Sequence, residues 1–141
     1  MTVKRTLMRG LPRGADLYDS LTEIVQRENI TLGRIQAIGA TTHAVVAYYD
    51  QNAKKYNHLE IAGGMEILGC SGNVSLRDGR PFVHAHILLG GPDGRVAGGH
   101  LLPGTRLLAG EVCIDELEGE RLERSLDEGT GLYLWKSESL L

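Results

Sequence analysis

Alternating apolar and polar positions, rather than a helical period, run through most of this chain of 141 residues. One stretch differs. Leu17, Leu21, Ile24 and Val25 recur at i, i+4, i+7 and i+8, a single stripe on a helix running from about Asp16 to Glu28. Asp16 stands where an N-cap or first-turn acid is favourable against the helix dipole. Pro12-Arg-Gly14 separates this helix from an opening strand over residues 3–9. Beyond it the pattern predicts strands over Arg34–Ile38, Thr42–Tyr49, Tyr56–Ala62 and Met65–Leu76, with Gly63-Gly64 interrupting the last two. Further strands follow at Pro81–Leu89, Arg95–Leu101 and Arg106–Leu117, the last with Leu108, Gly110, Val112 and Ile114 on one face. Polar or glycine-rich turns fall at Asp50–Lys55, Arg77–Arg80, Gly90–Gly94 and Pro103-Gly104. Glu118–Arg124 is highly charged and loses any period. The apolar Gly131-Leu-Tyr-Leu-Trp135 after it reads as an arm, packed on its own core or on a neighbouring subunit.

Composition adds bounds to this outline. The length suits one domain, 1–141, with a core over about 5–117 and a charged linker and apolar arm over 118–141. Its 19 glycines suit many turns and close strand crossings, not a helical bundle. A net charge of −3 argues against a broad non-specific nucleic-acid surface. Lys4, Arg5, Arg9 and Arg13 alternate with apolar residues and read as the exposed face of a strand. Cys70 and Cys113 are too few for a disulfide framework and are expected to pack as small apolar residues in a reducing compartment. No signal-peptide-like segment or membrane-length apolar run occurs, so a cytoplasmic protein with no membrane partner is expected.

Chemistry concentrates at three histidines. In Pro81-Phe-Val-His-Ala-His-Ile-Leu-Leu89 the side chains of His84 and His86 share a strand face, roughly 7 Å apart at Cα. A turn centred on Pro92 would set His84 directly opposite His100, on that same face. The other face, Val83, Ala85, Ile87 and Leu89, is wholly apolar. The histidine face also carries Phe82 and Leu88, so the imidazoles are expected to be sheltered. Three neutral imidazoles converging on one point read as a metal or polar site, against the alternative of three unrelated histidines each satisfied by hydrogen bonds; three ligands with a vacant fourth position are the arrangement of a catalytic zinc.

Several motifs stand in an ordered series: Arg9-Gly-Leu-Pro-Arg-Gly-Ala-Asp16, Ile38-Gly-Ala40, Ala47-Tyr-Tyr-Asp50, Glu66-Ile-Leu-Gly-Cys-Ser-Gly-Asn73, Phe82-Val-His-Ala-His86 and Gly98-Gly-His-Leu-Leu-Pro-Gly104. Together they resemble the plants-and-prokaryotes-conserved (PPC) domain, over roughly residues 5–117. The resemblance implies an α/β fold of the α+β type: a mainly antiparallel sheet with one principal helix packed on it, assembling as a homotrimer. It implies a metal site, zinc, at His84, His86 and His100. In plant members the domain is joined to an AT-hook that enters the DNA minor groove, and prokaryotic members are labelled DNA-binding by similarity to them. No Arg-Gly-Arg-Pro core with basic flanks occurs here.

Glu66 is a candidate for a general base or for an outer partner of the metal ligands; the alternative is a solvated strand residue or a salt bridge across the trimer. Ser71 and Asn73 suit a bulge or turn, and His43 and His58 suit the surface. Tyr48 and Tyr49 cannot both face inward, and Trp135 suits a packing or interface anchor. Three readings follow: a metal-binding trimer that binds a small molecule or performs metal-assisted chemistry, a DNA-associated regulatory module acting through the trimer surface, or a purely structural metal site.

Overall fold

A computed structural model describes residues 1–136. The one helix among the described residues, α1 (Leu17–Arg27), lies where the apolar stripe predicts it. Leu17, Leu21, Ile24 and Val25 are all buried, facing strands β4 (Arg80–Gly90) and β6 (Arg106–Glu118). Asp16 caps the helix by accepting from the Asp19 amide at 3.1 Å. Its other oxygen accepts from the Gly104 amide at 2.6 Å, which ties the Pro103-Gly104 turn to the helix start.

Over residues 1–118 the strands are fewer and longer than the sequence pattern suggests. Strand β1 is Thr2–Leu11, β2 is Gly33–Asp50 and β3 is Lys55–Arg77. Two predicted strands merge in β2 and two in β3. Gly39 and the Gly63-Gly64 pair do not stop the chain, because the β2–β3 pairing absorbs the irregularity in register shifts between Ala37 and Gly39 and between Thr41 and His43. Strand β6 also bulges: its register against β2 jumps between Ala109 and Leu107, so Leu107 is buried and Leu108 is exposed. Leu107, not the expected Leu108, therefore shares the face of Gly110, Val112 and Ile114.

The sheet order is β1-β6-β2-β5-β4-β3-β7-β8, with β2 also paired to β3. All pairings are antiparallel except a two-residue parallel contact of β3 with β7. Strand β5, Val96–Leu101, pairs with β4 on one side and with the far half of β2 on the other. The pairings β2–β3, β3–β4, β4–β5 and β5–β2 thus close a ring. Its interior holds Ala44, Val46, Ile67, Ile87, Leu89 and Leu101, part of one buried apolar cluster. Residues 123–135, expected as charged linker and apolar arm, form a hairpin, β7 (Glu123–Asp127) and β8 (Leu132–Trp135). The arm's last residues, 137–141, lie outside the described residues.

Candidate metal centre

Ring closure places the histidines. On β4 the apolar set Val83, Ala85, Ile87 and Leu89 is buried, as alternation requires, which turns His84 and His86 to the other face. Strand β5 brings His100 beside them. Its register differs from the expected one: His86, not His84, lies opposite His100. The turn is centred one residue later than Pro92, which moves the partner by two positions. Two is a whole period of the pleat, so the shared face is retained. Gly98 and Gly99 make the approach possible. A Cβ at Gly98 would lie 2.3 Å from the carbonyl oxygen of Ile87, and one at Gly99 would lie 2.7 Å from that of Ala47. With both neighbouring backbones that close, only glycine lets β5 fit between β4 and β2.

The imidazole ring centroids lie 5.0 Å (His84–His100), 5.1 Å (His84–His86) and 5.6 Å (His86–His100) apart. One donor atom from each lies within 4.8 Å of the other two. A zinc-type ion with bonds near 2.1 Å holds tetrahedral donors roughly 3.4 Å apart, a difference that ring rotation can close. Nδ1 of His100 is buried and has no hydrogen-bond partner among the described residues, a nitrogen that an ion would satisfy. The residues present therefore fit a metal ion. Shelter is uneven, however: His84 and His100 are half-buried, whereas His86 is exposed.

Burial pushes the pKa values of His84 and His100 down, each to about 4. For His84 the charge of Arg124 adds to this, then His100 and His86; for His100 the next contributions come from His86 and then Arg124. Both rings are thus neutral near pH 7, the form that ligates metal.

Around the triplet stands a polar and aromatic surround that the sequence only partly reveals. Asn73 and Ser71 on β3 pair in register with His84 and His86. Glu66 does not join them: it is exposed, lies opposite Gly90, and lines a separate depression with Thr41, Met65 and Pro92. Tyr56 stacks on His100 with ring centroids 5.1 Å apart. Arg124, from the charged stretch thought to be linker, is 7% exposed. It donates to Asn73 Oδ1 at 2.8 Å, Ser75 Oγ at 3.1 Å and the Tyr133 carbonyl at 3.1 Å, and its Nη2 lies 3.3 Å from His84 Nδ1. A guanidinium only donates, so this contact leaves the proton of neutral His84 on Nε2, and Arg124 competes with a metal for that ring. Trp135, 37% exposed, stacks on Arg124, its partner across the hairpin, 5.0 Å from ring centroid to guanidinium carbon. His58 is exposed, and half-buried His43 lies 3.9 Å from Glu60. Tyr48 is exposed while Tyr49 donates to the Thr130 carbonyl.

Comparison with known proteins sets this centre in context. The model of the Plants and Prokaryotes Conserved (PCC) domain matches residues 1–118. A crystal structure of a metal-containing protein from Archaeoglobus fulgidus is 43% identical, covers 96% of each chain and superposes with a TM-score of 0.90. A PPC protein from Pyrococcus horikoshii is 34% identical over 99% of this chain and 96% of its own, with a TM-score of 0.93. The bifunctional protein GlmU of Synechococcus sp. (strain JA-3-3Ab) is 33% identical over 127 residues, 88% of this chain. The match spans only 19% of that longer protein's length.

Proposed function

The chain belongs to the Plants and Prokaryotes Conserved domain family, and we propose that it is a metal-binding protein whose centre at His84, His86 and His100 receives a small ligand. The convergence of the three imidazoles, with Nδ1 of His100 buried and without a partner among the described residues, is the observation that carries this reading. The likeness to a metal-containing protein at 43% identity supports it. An all-imidazole donor set suits zinc among the common divalent ions. A bound zinc would supply Lewis acidity and lower the pKa of a water on it to around 7. The chain's own groups supply the rest. Tyr56 and Phe82 wall the site, Asn73 and Ser75 hold Arg124, and a cavity of about 190 Å³ opens beside His84 and His100. That cavity favours ligand binding over a purely structural metal.

Metal analysis of protein purified without chelator tests the reading. Near-stoichiometric metal is expected in the natural protein and none in a His84→Ala/His86→Ala variant; a natural protein without metal overturns it.

Self-association as a homotrimer belongs to the same reading. Met8, Ile38, Leu68, Leu88 and Leu108 are 45–73% exposed on the outer side of the sheet, an apolar surface of the kind that subunits cover. His86 lines a depression on that side with Ile38, Leu68 and Leu88, so a neighbouring subunit would shelter the one exposed imidazole. The two free thiols, Cys70 buried and Cys113 half-buried, suit a cytoplasmic setting. The rival DNA-associated reading faces a net charge of −3.

A further inference from the structure

Among the described residues, Arg124 is a buried cation that meets no carboxylate. Four of its five N–H donors meet acceptors, namely Ser75 Oγ, the Tyr133 carbonyl, Asn73 Oδ1 and His84 Nδ1, and every one of these is neutral. No ion pair to Arg124 occurs among the described residues. Stacking on Trp135 and Phe82, at 5.0 and 5.7 Å, offsets part of the charge but does not neutralise it. Buried charges are otherwise paired, because desolvation without a counter-charge is expensive.

A second cation faces the same space. Arg77 lies 3.6 Å over the Tyr133 ring, and its nearest acid is Asp78, 3.8 Å away on a side chain that is 82% exposed. Both arginines line the cavity with Tyr56, Phe82, His84 and His100. A divalent ion held by three neutral imidazoles would add two further positive charges with no negative ligand among the described residues. Among the described residues, the whole corner is short of anions.

We propose that this cavity is an anion subsite, taking a short carboxylic acid whose carboxylate rests on Arg124, with Arg77 beside it, while a neighbouring oxygen reaches the metal. At about 190 Å³ the cavity is smaller than the roughly 300–1,000 Å³ of drug-sized sites. That size fits an acid of few atoms and is too small to enclose a whole nucleotide. The proposal rests on the metal reading for its second contact only; the carboxylate contact is the protein's own.

The test uses the full chain loaded with Co(II) as a spectroscopic stand-in, titrated with glycolate and, separately, with glycolamide. Glycolate is expected to perturb the visible spectrum saturably and glycolamide to bind far more weakly. In Arg124→Gln the cobalt content should hold while glycolate binding weakens about 30-fold or more, the loss typical of removing one side of a buried charge contact. Arg124→Lys should recover part of it. Equal glycolate affinity in Arg124→Gln and the natural protein overturns the subsite, as does equal affinity for the amide. Should Arg124→Gln fail to fold, Arg77→Gln on the rim must still weaken glycolate several-fold. A protein that takes up no cobalt refutes the metal reading alone, and calorimetry of glycolate against glycolamide on that protein then decides the subsite.

Discussion

His84 and His100 are held as neutral bases, and this makes the site sensitive to acid in a definite direction. An unfolded chain takes up protons on these rings near pH 6.5, whereas the folded, metal-free protein resists until about pH 4. Between those values the unfolded state binds more protons, so stability falls as the pH drops from about 6.5 to about 4. Urea unfolding of chelator-treated protein at pH 7 and pH 4.5 is expected to show a lower midpoint in acid, and a His84→Ala/His100→Ala variant should show a shallower pH dependence. At the same scale the five histidines of the chain are not equivalent. His100→Ala should lower metal affinity by more than the roughly 10–100-fold loss typical of an outer partner. His58→Ala, on an exposed strand position, should leave it unchanged. Competition between chelator and protein for metal measures both.

Between elements, the site depends on how closely backbones approach. Gly72 on β3 lies beside His84 on β4, and a Cβ there would fall 2.4 Å from the His84 carbonyl oxygen and 2.7 Å from the Ala85 Cβ. Backbone cannot yield as a side-chain tip can, so Gly72→Ala must part the two strands where the ligands stand. A loss of roughly 2–3 kcal/mol by urea unfolding is expected, together with weakened metal binding. The β7–β8 hairpin behaves differently. Every residue of the buried apolar cluster stands at or before Ile114, so a chain ending at Glu118 should still fold. It would lose Arg124 and Trp135 and open the face of His84. Circular dichroism should stay close to that of the full chain while glycolate binding disappears; loss of folded structure would mean that the hairpin belongs to the core.

For the molecule as a whole, the unanswered surface is the outer face of the sheet. Leu68 and Leu88 stand side by side there at 57% and 56% exposure. Leu68→Asp is expected to shift the mass in solution toward the monomer, read by light scattering, and to lower metal retention if a neighbouring subunit shelters His86. No helix among the described residues is long and apolar enough to cross a membrane. Near-physiological salt should suppress DNA binding at micromolar protein, because phosphate contacts are salt-sensitive and the chain is acidic.

The sequence by itself determined the helix, the strand character of the rest, and the face on which His84 and His86 stand. These are local matters: a stripe at a period of 3.6 and an alternation at a period of 2 survive errors in strand boundaries. The pairing of His100 with that face survived even a displaced turn, because the displacement was a whole pleat period. Local pattern failed where bulges broke parity, as at Leu108, and where pairing ran through glycines that looked like stops. Only the tertiary structure decided the closing of β5 onto β2, which sets Tyr56 against His100, and the return of residues 123–135 onto the site. Both join residues far apart in the chain, and nothing in a charged stretch distinguishes a buried Arg124 from its solvated neighbours. Ser71 and Asn73 were drawn to the histidines, and Glu66 left behind, by strand register alone.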